Sequence, residues 1–222
     1  MGLLDRERQK RAREERRLAR EAILREAATL FEQHPYEMVE LDAIAGRAKV
    51  KKGIPSLLFQ DKEGLFLEVF LRRLEEWSRP VRERLAQKPG QGPEAAGRVL
   101  ARALGADPRF GRLLAVLHNA LERNLSPDLV VDFSHRFRDA TAELGEALET
   151  ACGRSMPPGT GGAAVARVFA WASGVLQVTG SVGSLSYLKV RSLWPAAQLD
   201  VEREIERLTL AALAADPPTE KS

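Results

Sequence analysis

The chain reads as all α-helical, a short N-terminal three-helix head followed by a larger helical bundle, and three observations carry that reading. Apolar residues recur at three- and four-residue spacing along most of the chain, which places them on single helix faces. Runs that alternate apolar and polar residues are absent, so no strand is expected, and no internal repeat is visible. The triplets Gly92-Pro93-Glu94 and Ser126-Pro127-Asp128 and the pair Asp107-Pro108 each set a proline directly behind a capping-type residue. Proline suits the first helical turn, where its missing N–H would have had no helical partner.

Taken in order, Met1 to Leu18 is almost free of apolar residues, and its mixed charges suit either a solvated helix or a disordered arm. Residues 1–17 are set apart as a basic N-terminal arm. A first core helix is expected from Arg17 to Gln33, on Ile23, Leu24, Ala27, Leu30 and Phe31, ending at His34-Pro35. From Val39 to Phe59 the pattern shortens. Leu41, Ile44, Ala45 and Ala48 share one face of a short helix, and Val50 restarts the period after a tight turn. A second short helix carrying Leu57, Leu58 and Phe59 would fold back over that face, making residues 18–60 a helix-turn-helix domain. Pro55 costs about 3 kcal/mol inside a helix unless it sits in the first turn. This second helix is therefore predicted to start late, near Lys52 or Gly53, or to bend there, with Lys49, Lys51 and Lys52 exposed at its start.

Asp61 is a good N-cap for a fourth helix, Lys62 to Leu85, with Leu65, Val69, Leu71, Leu74 and Trp77 on its apolar face. Residues 88–93 form a linker. Helices follow near 93–104, 108–123 and 127–152, the last with a stripe of Val130, Phe133, Phe137, Ala140, Leu144, Ala147 and Ala151. Residues 153–162 read as a flexible loop, without the lysine and strand that a phosphate cradle needs. A helix rich in small residues should run from Ala163 to Lys189, Leu193-Trp194-Pro195 should break the chain, and Asp200 should open a last helix on Val201, Ile205, Leu208 and Ala212. Residues 61–215 make up the body, and the polar, proline-containing residues 216–222 are expected to be a disordered tail.

The 222 residues, 44% apolar and 29% charged, are ample for a buried core and typical of a globular protein. The single cysteine, Cys152, excludes an internal disulfide framework and reads as a buried thiol; no second cysteine is present to resolve an oxidised form. The charged N-terminus does not have the form of a secretory signal, and a reducing, cytoplasmic setting is expected. Val168 to Leu188 is uncharged and of membrane-spanning length, but its serines, glutamine, threonine and glycines make a buried helix the better reading. No membrane partner is expected. The net charge of +3 is carried entirely by residues 1–60, and residues 1–20 hold 8 basic and 4 acidic side chains. Attraction to a polyanion would act there.

The stretch VELDAIAGRAKVKKGIPSLLF, with Ile23-Leu24, Ala27 and Leu30-Phe31 before it and Asp61-Lys62-Glu63 and Leu65-Phe66 after it, resembles the TetR-type one-component transcriptional regulators over Leu18 to Phe70. Packing positions match: Ile44, Ala45, Ala48, Val50, Gly53, Phe59 and Lys62. Positions that face DNA depart from the family. Lys49 stands where glycine is usual, Lys51 where serine is, Val39 where threonine is, and Ser56 where a phosphate-contacting tyrosine is. The resemblance implies a DNA-binding head, a helical ligand-binding and dimerisation body, and a homodimer formed by the last two long helices. It further implies a double-stranded DNA operator as partner, with Lys49, Lys51, Lys52, Gly53 and Ser56 near the groove and Lys62 on a phosphate. The basic arm would then follow the DNA backbone or enter the minor groove, as basic arms do elsewhere.

No catalytic constellation can be assembled. The three histidines, His34, His118 and His135, stand in no metal-ligating or nucleophile-activating spacing, so no enzyme, metal or cofactor is expected. His34 reads as a surface or capping residue. His118 borders the apolar face of its helix beside Asn119 and Glu122, either as a hydrogen-bonded core-edge residue or as a polar contact in a pocket for a small, largely apolar ligand. Phe133, Trp171 and Gln177 are the other pocket candidates. Loss of the family residues at Val39, Lys49, Pro55 and Ser56 leaves a second reading open, a helical ligand-binding or interaction module with weak or lost sequence-specific DNA binding.

Overall fold

The computed structural model describes residues 3–122, 125–180 and 199–214, and among these residues nine α-helices and two 3-10 turns occur and no strand does. Two compact units divide the chain between Val69 and Phe70.

The first unit contains α1 (Leu3–Gln33), a 3-10 turn (Tyr36–Met38), α2 (Leu41–Arg47), α3 (Ile54–Phe59) and the first two turns of α4 (Lys62–Ala86). The charged N-terminal stretch is not a loose arm: α1 begins at Leu3, well before the expected Arg17, and is 31 residues long. Side chains from Arg6 to Leu18 are exposed, so no core holds this half of α1. Its helix is maintained by good helix-forming residues and by local pairs such as Arg17 with Glu14, whose oxygens accept at 2.6 and 2.9 Å. The apolar face begins at Ile23 and continues through Leu24, Ala27, Leu30 and Phe31, all buried. Against it lie Tyr36, Val39, Ile44, Ala45 and Phe59, and from α4 Leu65, Phe66 and Val69. Phe66 takes both Phe31 and Tyr36 edge-on, at centroid separations of 5.5 and 5.0 Å.

Asp61 caps α4 as expected, accepting the Gly64 N–H at 2.7 Å. The helix passes through Pro80 without ending. Both Pro80 and Glu76, whose carbonyl loses its helical donor there, are exposed, so water can satisfy that group.

The second unit contains the rest of α4, α5 (Pro93–Ala106), α6 (Pro108–Glu122), α7 (Pro127–Cys152), a 3-10 turn (Gly153–Ser155), α8 (Gly161–Gly180) and α9 (Val201–Ala214). The proline-marked starts fall where the sequence puts them. Ser126 accepts the Leu129 N–H at 3.3 Å, and Asp107 accepts the Phe110 N–H at 3.0 Å while its other oxygen takes Arg73 at 2.6 Å. The core is aromatic. Trp77 stacks on Phe110 at 4.7 Å, Phe169 meets both rings edge-on, and Phe70, Phe133 and Phe137 extend the cluster. Trp77 Nε1 donates to the Ala103 carbonyl at 3.0 Å, which satisfies its one buried polar atom.

Residues 153–162 are not the free loop expected. Met156 is buried, and the Gly161 N–H donates to Glu149 Oε1 at 2.6 Å. Two glycines explain the closeness: a Cβ on Gly145 of α7 would collide with the backbone of Gly161 and Gly162, and one on Gly161 would collide with the backbone of Gly145. The expected helix 163–189 is seen as α8 to Gly180; its remaining residues, Leu193-Trp194-Pro195 and the tail 216–222 lie outside the described residues. Among those described, no helix is long and apolar enough to cross a membrane.

Gly145→Ala should therefore cost at least the 1–3 kcal/mol typical of overpacking, read as a lower denaturation midpoint of the full chain. Gly46→Ala, in α2 with open space around its Cβ, should move stability the other way by about 0.5–1 kcal/mol.

Candidate nucleic-acid interface

The geometry of the head is set in the turn between α2 and α3. Helix α2 ends with the Lys49 N–H bonded to the Gly46 carbonyl at 3.2 Å and the Val50 N–H reaching back to the Ala45 carbonyl at 3.0 Å. This pair of bonds is the Schellman arrangement, which requires a left-handed residue between helix and exit. Lys49 is that residue, at φ 56°. The lysine in the family's glycine position therefore occupies the glycine conformation, at a cost of about 1–2 kcal/mol.

Gly53, at φ 86°, precedes α3, and its carbonyl accepts the Leu57 N–H at 3.0 Å. Pro55 is the second residue of α3, inside the first turn, where its absent N–H costs nothing. The helix starts late, as predicted, at Ile54. Pro55 and Phe59 face inward, Ile54 and Leu58 are half-buried, and Ser56 and Leu57 are exposed. At about 100° per residue, Leu57 lies about 180° from the midpoint of Pro55 and Phe59. With 74% of its surface exposed it is the largest apolar side chain that α3 presents to solvent.

Three contacts fix α1 against the other head helices. Arg47 Nε donates to Glu26 Oε2 at 3.1 Å, joining α2 to α1. Arg20 pairs with Glu68 of α4 at 2.9 Å, and its guanidinium lies 4.8 Å from the centre of the Phe59 ring of α3. The hydrogen bond from Arg47 holds the Glu26 carboxyl below the ordinary carboxylate range.

The six residues assigned to DNA all belong to this unit, but they are not equivalent. Lys49, Lys51 and Ser56 are exposed, Lys51 beside a groove of about 500 Å³ that Ala12, Arg16 and Ala19 of α1 share with Ile54 and Leu57. Lys52 is exposed but bonds Asp42 at 3.0 Å. Gly53 acts through its backbone. Lys62 is half-buried, with its ammonium 4.2 Å from the centre of the Tyr36 ring and 3.5 Å from the Glu37 carbonyl. Sequence reasoning missed Leu57 as an exposed residue, having assigned it to the packed face; its place on the helical wheel, opposite Pro55 and Phe59, was the available signal.

In the second unit, a cavity of about 360 Å³ is bounded by Leu114 and Leu117 of α6, Phe137 of α7, and Phe169, Ser173 and Gln177 of α8. Ser173 Oγ donates to the Leu114 carbonyl at 3.1 Å and Gln177 Nε2 to the Ala115 carbonyl at 2.7 Å. Of the proposed pocket residues, Gln177 lines this cavity. Phe133 is instead buried in the aromatic core, and Trp171 faces solvent from α8, 37% exposed. His118, Asn119 and Glu122 fall on the last turns of α6, and their side chains lie outside the described residues. Burial pushes the Cys152 thiol up to about 11, so it is no thiolate at neutral pH. No cluster that could hold a metal ion occurs among the described residues.

A helix-turn-helix head and a separate helical body with its own cavity define a class, the two-part helical regulators. Residues 23–69 match the family described as bacterial regulatory proteins, tetR family, and residues 71–214 match the tetracyclin repressor-like C-terminal domain. The chain belongs to the TetR family. Its fold is similar to that of a TetR transcriptional regulator from Rhodococcus sp. RHA1, with TM-score 0.58 and 20% identity over 90% of this chain and 97% of that one. A protein assigned to the same family from Mesorhizobium loti MAFF303099 is similar with TM-score 0.53 and 19% identity, over 88% and 93%. A comparison with curated proteins finds no match.

Lys49→Gly should stabilise the chain by about 1 kcal/mol by relieving the left-handed lysine, read as a higher unfolding midpoint. Because the Glu26 carboxyl is lowered in the folded state, its contribution is present at neutral pH and is lost as pH falls through its folded value. Glu26→Gln should accordingly make the acid-side decline of the melting temperature shallower while lowering stability at pH 7 by less than about 1 kcal/mol.

Proposed function

We propose that this TetR-family chain is a ligand-responsive repressor that binds a palindromic double-stranded DNA operator as a homodimer in the cytoplasm and is released by a small, largely apolar molecule. The observation that carries the reading is α3: its exposed side stands opposite its buried side, with exposed Lys49 and Lys51 beside it. A helix so presented can enter a major groove while the lysines meet phosphates. Pairing through α8 and α9 is supported by exposed Trp171 and by the small exposed residues Ala166, Ala170 and Gly174 of α8, which also border the cavity, so that the pairing face adjoins its mouth. For the ligand, the support is the cavity beside Phe137 and Phe169; its Ser173 and Gln177 already donate to backbone carbonyls, which favours apolar occupants. Repression follows from the family resemblance. A ligand acts by binding one conformer better than the other, and α4, which contributes to both units, is the covalent path for that preference.

One observation favours weaker sequence reading: Lys52 is paired with Asp42, and Ser56 is the only hydrogen-bonding side chain within α3. Fluorescence anisotropy with labelled DNA from upstream of the protein's own coding region, against a scrambled duplex at two salt concentrations, decides between the readings. The regulator reading expects preference for the native duplex that persists at the higher salt. Equal affinities that collapse together with salt would show a phosphate binder without an operator in that DNA. Lys51→Ala with Lys52→Ala should weaken both duplexes and reduce the salt slope by about 0.9 for each phosphate that the two lysines neutralise; unchanged affinity would remove the assignment of this face to DNA.

A further inference from the structure

We infer that Leu57 is a specificity-determining residue, reading the 5-methyl group of a thymine in each operator half-site; this rests on the proposal that α3 enters the major groove. Direct base readout is ordinarily done by side chains that pair with donors and acceptors on base edges, arginine and lysine with guanine, asparagine and glutamine with adenine. None of these residues occurs within α3, whose sequence is IPSLLF. Pro55 and Phe59 are buried, and Phe59 is further covered by the Arg20 guanidinium. Ser56, which can hydrogen-bond to several bases, discriminates weakly among them. The largest apolar side chain that α3 presents to solvent is Leu57, 74% exposed at the point of α3 opposite its buried face.

An apolar side chain at that point acts in two ways. Against guanine, adenine or cytosine it would strip water from a base-edge donor or acceptor without replacing the hydrogen bond, which is unfavourable. Against thymine it meets the one apolar group that the major groove presents. The groove that Leu57 borders is itself largely apolar, with Ala12, Ala19, Val50, Ile54 and Leu58 in its lining, but the cations around it favour DNA over a protein helix as the occupant: exposed Lys49, Lys51 and Lys52 precede α3, and exposed Arg16 stands beside Glu15 in the lining. A partner carrying regularly spaced negative charge with a methyl group recessed between the charges fits both features.

The test starts from duplexes selected out of a random library by the full-length protein. Each thymine of the selected site is replaced in turn by deoxyuridine, which removes the methyl and keeps every hydrogen-bonding group. The wild-type chain should lose about threefold to fivefold in affinity at one thymine, or two adjacent ones, in each half-site, the ratio expected for one buried methyl. Leu57→Ala, an exposed change checked by circular dichroism, should still bind the thymine duplex but lose the discrimination, its thymine-to-deoxyuridine ratio falling to about one at that position. Comparing protein and DNA changes as a double-mutant cycle cancels any effect of deoxyuridine on the duplex itself. Wild-type binding indifferent to every methyl, or a methyl effect that survives in Leu57→Ala, would overturn the role of Leu57 while leaving the operator reading in place. Enrichment of no sequence would overturn both.

Discussion

The head depends on one backbone constraint, the left-handed residue at Lys49. A chain leaving α2 can turn sharply only if the carbonyls at the helix end are met by N–H groups from beyond it, and the bond from Val50 to Ala45 does this. With Lys49 in that conformation, Val50 comes back toward α2 and three residues suffice to reach Gly53, the second left-handed position. Between them these two residues fix the direction of α3. Everything proposed for Ser56 and Leu57 follows from that direction, since a helix of only six residues has no length over which to correct an error of aim. The strain of a left-handed lysine is offset by its placement: the same side chain that would be cheaper as glycine adds a positive charge beside the exposed side of α3.

The body is governed by close approach instead. Gly145 and Gly161 let α7 and α8 touch backbone to backbone at one end. Further along α8, Phe169 is larger than any residue at the glycine contact and packs against Phe110, Phe137 and Trp77. The cavity lies farther along α8 than the glycine contact, from Ala166 to Gln177, where Phe137 and Phe169 border it. The serine hydroxyl and the glutamine amide that border it donate to backbone carbonyls, so they face an occupant mainly as acceptors in an otherwise apolar lining.

Much of the architecture was legible because it is written in local chemistry. Proline behind a capping residue marks a helix start wherever the chain later packs, and Asp107, Ser126 and Asp61 each make the cap their identity implies. Pro55 could be placed in a first turn because no other position tolerates it. What was not legible depends on packing between distant residues. The N-terminal arm is helical because charge pairs three residues apart support it, while its lack of an apolar face made a disordered arm an equal expectation. Phe133 and Trp171 look alike in sequence, aromatics on helical stripes, and only the crossing of α6, α7 and α8 decides that one is core, the other faces solvent, and Phe137 lines the cavity. Lys62 resembles a phosphate ligand until the Tyr36 ring appears beneath it. The pairing of Lys52 with Asp42 joins residues ten apart across a turn, a spacing at which no periodicity rule operates.

The size of α3 also bears on the proposed reading of DNA. Six residues span about 9 Å, or about three base steps of 3.4 Å. A three-base word recurs roughly once per 64 positions, far too often to mark an operator among the millions of competing sites in a genome. Extra charge cannot make up the deficit, because phosphate contacts raise affinity for every sequence alike. A second copy of the same head can, since two words at a set separation recur roughly once per 4,000 positions, and bases read indirectly through DNA shape lengthen each word further. On the proposed dimer reading, selectivity then requires both words at the right separation, so it depends on each head and also on the distance between the two. That is the quantity a helical body can alter by a small change in packing, so a short and sparsely polar recognition helix is the form for which control through the body is most effective.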